Sequence, residues 1–384
     1  MKTIFSLLIF FCLAALQAQV VPFSFNNQFP INVENGINGE VWLVETGTGA
    51  NDGAVSRLRS DGTKETVVQG LPSYFDTTTQ ELQGATSVLR LADDRLLVLV
   101  GAGVDSLSKS ILEFNMMDYL NKAAALELSD RRSDIRVGEY AASKGFAESN
   151  PYSLILNSDG DFVIADAAAN AAFKYDLSAD TFATLAVFPV GVNPLPFGPP
   201  VYETVPTKII SNPAGGYWIT CLTGFPFLDG AAVVYSLSEQ GQLDTLASGL
   251  TLVTDMEYDA QNNTLLTLQF GKFGMVDSVT PGFLPNSAQL VEVDMQGNLD
   301  TLLGDFGPVS GMALLPTGNV LFTHPFAGIV FVWDPSLVAL EPVVGVQQLE
   351  MFPNPASGHV VFRFRVDQPA EAGLQLLNSA GKRL

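Results

Sequence analysis

The stretch that decides the fold is Asn38-Gly39-Glu40-Val41-Trp42-Leu43-Val44, a glycine-containing turn followed by an unbroken apolar strand. Glycine permits the positive φ of a tight turn, so this stretch predicts the turn and second strand of a β-hairpin. The pattern returns at intervals of about 50 to 60 residues, which indicates a repeat architecture. The five further copies lie at residues 94–100, 160–165, 215–221, 262–268 and 318–323.

Further apolar strands flank each copy and complete a four-stranded unit. A first strand precedes the turn at residues 86–91, 152–156, 207–211, 255–258 and 311–315. A third follows at 54–58, 110–114, 171–175, 231–237, 289–293 and 329–333, and a fourth at 65–68, 181–185, 243–247 and 299–303. One such sheet cannot cover both of its faces, so copies stack around an axis. The sequence therefore predicts an all-β fold, a six-bladed β-propeller.

Two other β architectures fit the pattern less well. The unequal spacing of the copies argues against a β-helix, and six hairpin pairs are too many for one β-sandwich. A propeller ring must also close, and we expect residues 20–26 or 30–33 to pair within the last blade near 329–333. Blade two is followed by an insertion at 116–147, with helix-like stretches at 118–128 and 135–143. The insertion is either functional or a decoration of the ring.

The composition and net charge limit the classes of partner that the chain is expected to bind. Hydrophobic residues make up 47% of the 384 residues, which is enough to bury a large core. The net charge of −21 repels nucleic acid and anionic membranes, since both are polyanions. We therefore expect no nucleic-acid partner and no membrane insertion, whereas calcium or a cationic partner would be tolerated. The same charge is equally consistent with a role in solubility alone.

The N-terminus is typical of a signal peptide. Lys2 precedes an apolar run at residues 4–16 that is too short to span a bilayer, and cleavage is expected after Ala18. A lipoprotein anchored at Cys12 is the alternative. The mature chain would then be secreted or displayed at the cell surface. Cys221 would be its single cysteine, which excludes an intrachain disulfide and suits an inert core residue.

A set of short motifs resembles the ScyD/ScyE family of exported propellers. These motifs are GANDG at 49–53, SNPY at 149–152, ADAAANA at 165–171, LTGFPF at 222–227 and GAAVVY at 230–235. The resemblance covers residues 29–335 and implies a six-bladed propeller related to NHL-type propellers. It implies no catalytic residues, because none is established for the family.

The C-terminal residues resemble the sorting domain of the type IX secretion system of Bacteroidetes. The resemblance rests on MFPNPA at 351–356, a strand at 360–364 and LQLLNSAGK at 374–382. It implies a partial β-sandwich tail at 349–384 that is recognised by the type IX secretion machinery. The expected organisation is a signal peptide at 1–18, a propeller at 19–339, a linker at 340–348 and this tail.

Chemistry is expected where the second strand of each blade ends, near the central channel. Aligning the six copies places Glu45, Asp166 and His324 there, together with Val100, Cys221 and Leu268. Carboxylates that converge on an axis suit a hard cation, so Glu45 and Asp166, with the amide of Asn150, form a candidate calcium site. His324 is a weak candidate for a general base. Alternatively, Asp166 and Asp52 hold their own turns by accepting backbone hydrogen bonds.

Two loops rich in Phe and Pro, at 188–200 and 222–228, offer a different kind of site. Rigid apolar loops at a channel mouth suit a binding surface, with Phe225 and Phe227 as candidate contacts, although they could also pack on a neighbouring blade. The sequence thus favours a non-catalytic binding scaffold for a small molecule, glycan or protein. The alternatives are a calcium-dependent hydrolase or lactonase on the channel face, and a purely structural surface protein.

Overall fold

The computed structural model describes residues 20–277, 280–336, 346–352 and 361–366. Strand β1 (Val20–Ser24) precedes blade 1, which consists of β2 (Pro30–Asn35), β3 (Val41–Glu45), β4 (Gly53–Leu58) and β5 (Lys64–Leu71). Blade 2 consists of β6 (Ser73–Asp76), β7 (Glu81–Arg90), β8 (Arg95–Val100), β9 (Ser110–Asn115) and β10 (Ser133–Ile135). Blade 3 consists of β11 (Pro151–Leu156), β12 (Phe162–Asp166), β13 (Ala171–Asp176) and β14 (Thr181–Val187).

The second half of the ring repeats this arrangement, with two small hairpins added. The first hairpin is β15 (Gly191–Val192) and β16 (Val201–Tyr202), and blade 4 is β17 (Thr204–Ser211), β18 (Tyr217–Thr223), β19 (Ala232–Leu237) and β20 (Leu243–Leu250). Blade 5 is β21 (Val253–Asp259), β22 (Thr264–Gln269), β25 (Ala288–Val293) and β26 (Leu299–Phe306), with the hairpin β23 (Phe273–Met275) and β24 (Pro281–Phe283) between β22 and β25. Blade 6 contains β27 (Met312–Leu314), β28 (Val320–His324) and β29 (Ile329–Trp333). The predicted six-bladed propeller is confirmed.

The ring closes through its first strand. β1 pairs antiparallel with β29 as the outer strand of blade 6, with Val20 opposite Trp333 and Val21 opposite Val332. Of the two predicted closing segments, 20–26 is confirmed, whereas 30–33 belongs to β2 and pairs with β3 in blade 1. Pairing the first strand with the last blade leaves neither end of the ring as an open sheet edge.

The core lies between the blades. The buried apolar residues of the propeller form six groups, each between two neighbouring blades. Middle strands such as β8 are buried on both faces, which explains their unbroken apolar sequence. Cys221 lies in the layer between blades 3 and 4, where burial raises the pKa of its thiol. Because the thiolate is the reactive form of cysteine, a thiol with a raised pKa is unreactive, as the sequence predicts.

The insertion at 116–147 contributes to blade 2 itself. It contains α1 (Met116–Lys122), a 3-10 turn (Leu128–Asp130), the outer strand β10 and α2 (Val137–Ser143). The first helix is shorter than the predicted 118–128 because Ala123 adopts a left-handed conformation and ends it. Leu126 then exchanges backbone hydrogen bonds with Val67 and Gln69 of blade 1.

A second unit, which contains residues 1–19 and 335–384, is described only in part. Its strands β30 (Val346–Phe352) and β31 (Val361–Val366) form an antiparallel hairpin, with Met351 opposite Phe362. The predicted signal peptide at 1–18, residues 340–345 of the predicted linker and most of the predicted sorting tail lie outside the described residues. Neither α-helix in the described part of the chain is long and apolar enough to cross a membrane.

Candidate functional site

The strand order of the propeller gathers two sets of loops on one face. Because the strands of each blade alternate in direction, the loops between second and third strands lie at the same end as the connections between blades. We call this end the upper face. It carries, among others, the connections at 25–29 and 188–203 and the loops at 167–170, 224–231, 270–287 and 325–328.

Eight phenylalanines form a continuous group of contacting rings on the upper face. Phe225 contacts Phe197, Phe227 and Phe273, with ring centroids 6.4, 5.9 and 6.2 Å apart. The chain of contacts continues through the hairpin β23–β24 to blade 6 and to the connection that precedes blade 1. We call this group the aromatic cluster; its members are Phe29, Phe197, Phe225, Phe227, Phe270, Phe273, Phe283 and Phe326.

Local backbone structure fixes the rings in place. The Phe227 N–H donates to the Gly224 carbonyl, which closes a turn with Phe225 at its outer side and Pro226 buried. Phe273 and Phe283 are direct cross-strand partners in the hairpin β23–β24, so their rings lie on the same side. The cluster is therefore held by hydrogen-bonded turns from three blades rather than by one flexible loop.

The cluster has a packed base and an exposed top. Phe227, Phe270 and Phe273 are half-buried, whereas Phe225 is 45% and Phe326 66% exposed. Phe197 and Phe283 are exposed as well. The predicted alternative, packing of these loops on a neighbouring blade, describes the base but leaves the top of the cluster uncovered.

An open cleft of about 620 Å³ lies beside the cluster on the upper face. Its walls are residues 145–150, which lead into blade 3, the loop 167–170 and the start of blade 4 at Glu203 and Val205. Asn150, one of the predicted ligands, lines it. Its Oδ1 accepts from the Ala102 N–H at 2.7 Å, and no hydrogen bond of its Nδ2 is seen among the described residues.

Asp166 joins two walls of this cleft. Its carboxylate accepts from Ser149 Oγ at 2.5 Å and from the Asn150 N–H at 2.7 Å on one wall, and from the Ala169 N–H at 3.1 Å on the other. Burial raises the pKa of this fully buried carboxyl group, while these hydrogen bonds oppose the rise. The structure thus gives Asp166 the loop-holding role that was the alternative to metal ligation.

Glu45 is engaged elsewhere. It is buried, and its Oε1 accepts from Lys64 Nζ at 2.6 Å and from the Gln28 N–H at 2.7 Å. No hydrogen bond joins it to Asn150 or Asp166 in the described chain. Within residues 20–277, 280–336 and the tail hairpin, no three His, Cys, Asp or Glu side chains are placed to hold a metal ion. The convergence of carboxylates expected from the aligned strand ends is therefore not seen, because each acid is satisfied within its own part of the ring.

His324 caps a short turn. Its Nδ1 accepts from the Ala327 N–H at 3.2 Å at the start of the 3-10 turn Pro325–Ala327. Burial lowers the pKa of the imidazole. The turn that it holds presents Phe326, so His324 supports the aromatic cluster in this geometry.

A buried charged group, which the sequence reasoning missed, lies where the innermost strands meet. Lys208 Nζ lies 2.9 Å from Glu34 Oε2 and 3.1 Å from Asp255 Oδ1. Ser87 Oγ donates to Glu34, and the Met312 N–H donates to Asp255. With Tyr152 and Glu257, whose pKa values respond to these charges, we call this group the axial cluster.

All six innermost strands take part in the axial cluster. Glu34, Ser87, Tyr152 and Lys208 come from blades 1 to 4, Asp255 and Glu257 from blade 5, and Met312 from blade 6. The available signal was that the first strands of blades 1, 4 and 5 each carry a charged residue, Glu34, Lys208 or Asp255, next to a buried apolar one.

Burial, which removes the carboxyl groups from water, is the largest cause of the raised pKa values in the axial cluster. It raises the pKa of Glu257 to about 8 and that of Asp255 to about 6, against the opposing charge of Lys208. The carboxylates in turn raise the pKa of Lys208, despite its burial. Glu257 has no hydrogen bond or ion pair in the described chain that would stabilise its charged form.

Two solved structures share the architecture. A protein of unknown function from Bacteroides thetaiotaomicron is 10% identical with a TM-score of 0.51, and the match covers 82% of this chain and 75% of the other. A gluconolactonase from Xanthomonas campestris is 12% identical with a TM-score of 0.51, and the match covers 83% and 92%. At these identities the likeness shows the six-bladed propeller fold alone. No protein-family model matches the chain, and no curated protein matches it in sequence.

Proposed function

We propose that this chain is a non-catalytic binding propeller whose ligand lies on the aromatic cluster. The observation that supports this most directly is the exposed top of the cluster, four phenylalanines that are each at least 43% exposed. Contiguous exposed apolar area on a soluble protein is typical of interaction sites, because its hydration is unfavourable. Turns anchored in blades 4, 5 and 6 keep the rings in position, which lowers the ordering cost of binding.

The proposal can be tested with Nile red, an uncharged dye whose fluorescence rises in apolar surroundings. We expect the protein to bind the dye, and Phe225→Ser to reduce binding several-fold because it interrupts the ring contacts. Phe75→Ser is the matched control, since Phe75 is 42% exposed and makes no ring contact in the described chain. Equal dye binding by both variants and the wild-type protein would reject the aromatic cluster as a binding surface.

A calcium-dependent hydrolase or lactonase is the second candidate function. The observation in its favour is the cleft lined by Asn150, with the Asp166 carboxylate behind it. Thermal unfolding with excess calcium and with chelator tests it, since a ligand at a hundredfold excess over its Kd stabilises the fold by about 2.7 kcal/mol. A calcium-dependent rise that Asn150→Ala abolishes would support a metal site, and an unchanged midpoint would count against it.

We also propose that the chain is an exported member of the ScyD/ScyE-like propellers and is sorted by its C-terminal residues. The motifs at 49–53, 149–152 and 222–227 and the type IX-like stretch at 351–356 support this. Expression in a bacterium with a type IX secretion system, with and without residues 349–384, tests it. Cell-surface or secreted protein only with the tail would support the proposal, and identical distributions would refute the role of the tail.

A further inference from the structure

The aromatic cluster and the neighbouring cleft share one wall. The Gly224 N–H donates to the Glu203 carbonyl at 2.9 Å, so the residue before Phe225 is bonded directly to a residue that lines the cleft. Gly198, on the same connection as Phe197, lies against the Phe225 ring. A Cβ on Gly224 would lie 3.7 Å from Glu203 Oε2, so the Glu203 carboxylate lies beside the residue that precedes Phe225.

Two carboxylates at this junction have no charged partner in the described chain. Glu203 and Glu148 both line the cleft, both are exposed, and neither has an ion pair or side-chain hydrogen bond in the described chain. Lys272, on a loop of the aromatic cluster, already pairs with Asp229 at 3.0 Å, and Lys144, next to the cleft wall, lies over the Tyr140 ring. Asp277 accepts a hydrogen bond from Thr280 in its own hairpin. The net charge of −21 adds to the negative potential of this region.

We propose that the ligand of the upper face is a small organic cation, with an apolar body on the aromatic cluster and an ammonium group beside Glu203. This rests on the proposed binding function and specifies its ligand. Ring faces and carboxylates both attract a cation, by cation–π contact and by charge-assisted hydrogen bonds. An anion would be repelled, and a neutral ligand would gain only the apolar contact. The cleft volume of about 620 Å³ lies within the usual range for small-molecule sites.

Three probes that each carry a phenyl ring on a four-carbon chain separate the effect of charge from that of apolar contact. They are 4-phenylbutylamine, 4-phenylbutanol and 4-phenylbutyrate, measured by titration calorimetry on the full chain at low ionic strength. We expect the amine to bind about tenfold more tightly than the alcohol, and the carboxylate to bind most weakly. Raising the salt concentration should reduce the difference in affinity between the amine and the alcohol, because the charges of exposed glutamates are screened by salt.

Two substitutions locate the effect. Glu203→Gln should bring the affinity for the amine close to that for the alcohol and leave the alcohol unchanged. Phe225→Ala should weaken both. Glu239→Gln is the matched control, since Glu239 is an exposed glutamate in the turn between the third and fourth strands of blade 4, at the opposite face.

The outcomes separate the two proposals. Equal affinities for amine and alcohol, both reduced by Phe225→Ala, would overturn the cationic ligand and leave the aromatic binding surface in place. A preference for the amine that survives Glu203→Gln would also overturn it. Failure of all three probes, together with failure of Nile red, would reject the binding function itself.

Discussion

Lys208 and Glu34 are 174 residues apart in sequence, yet their side chains meet at 2.9 Å on the axis of the propeller. Lys208 is 5% exposed and belongs to blade 4, and Glu34 belongs to blade 1. Their pairing, with Asp255 from blade 5, connects the two halves of the ring through its centre. With the hydrogen bonds from Ser87 to Glu34 and from the Met312 N–H to Asp255, five of the six innermost strands are tied to the axis as well as to their neighbours.

We expect Lys208→Met to destabilise the propeller by about 3–5 kcal/mol, because it leaves Glu34 and Asp255 without their cation in a buried site. Lys174→Met is the control: the Lys174–Asp161 pair is 3.0 Å long but a third of the lysine side chain is exposed, so its loss should cost about 1 kcal/mol or less. Urea unfolding measures both. Similar losses for the two variants would contradict a special role for the axial pair.

Stability should fall as the pH rises towards 9. Glu257 has a pKa of about 8 in the folded protein against an ordinary value of 4.5, so the folded state binds more protons between these values. The resulting stabilisation is complete below pH 4.5 and is lost as the pH rises through about 8. The groups that face Glu257 are Lys208, Asp255 and Glu34, and Asp255, whose pKa is also raised, acts in the same direction.

Glu257→Gln should remove most of this dependence. We expect its urea midpoint to change little between pH 6.5 and 9, while that of the wild-type protein decreases over the same range. Urea unfolding followed by circular dichroism at four pH values is enough to compare how the midpoints of the two proteins change with pH. If the midpoints of the two proteins change equally with pH, the titrating group is not Glu257.

We expect Asp166→Asn to weaken the contact between the two walls of the cleft, residues 149–150 and 167–170. The amide oxygen of asparagine can still accept from the Asn150 and Ala169 N–H groups, but the NH₂ group that replaces Oδ2 cannot accept from Ser149 Oγ, so we expect a loss of about 0.5–1.5 kcal/mol. Hydrogen exchange should accelerate at residues 149–150 and 167–170. Asp52→Asn is the control, because Asp52 caps Thr48 in a loop of blade 1 and its loss should affect only that loop. Unchanged exchange in the cleft would show that Asp166 does not hold its walls.

Gly62 and Gly160 offer a test of the closing strand. Both have positive φ, +81° and +85°, but a Cβ on Gly62 would lie 1.8 Å from the Phe23 carbonyl oxygen of β1, whereas one on Gly160 would meet open space. Gly160→Ala should cost about 1–2 kcal/mol of backbone strain. Gly62→Ala should cost about 1–3 kcal/mol more, because β1 must move. Equal losses in urea unfolding would mean that β1 does not pack against this turn.

The fold was predictable because it depends on local patterns. The glycine turn at 38–44 and its copies mark each hairpin, and the apolar strand at 20–24 marks the closure. The aromatic cluster was predictable in part, through Phe225 and Phe227. Phe273 and Phe283 were missed because their hairpin lies inside a blade loop, although the density of phenylalanines at 270–283 was a signal.

The charged sites were harder to predict, because their partners come from distant blades. Strand ends placed Glu45 and Asp166 in equivalent positions, but Lys64 pairs with Glu45, whereas the Ser149 hydroxyl and the Asn150 N–H donate to Asp166. Conversely, Lys208 and Asp255 lay in predicted strands, yet only the order of blades around the ring brings both to Glu34. Sequence spacing indicates the strand on which a charge lies, and ring geometry decides which charge faces it.

The closing strand also bears on how the chain folds. The Asn27 side chain, just after β1, donates to the Gly328 carbonyl across 301 residues. Contacts of such separation give a high contact order and slow folding. A chain that emerges from its N-terminus can form blades 1 to 5 in turn, but β1 has no partner until blade 6 has emerged. Until then β1 remains an unpaired edge, so we expect premature release of the chain to favour association between copies rather than closure of the ring.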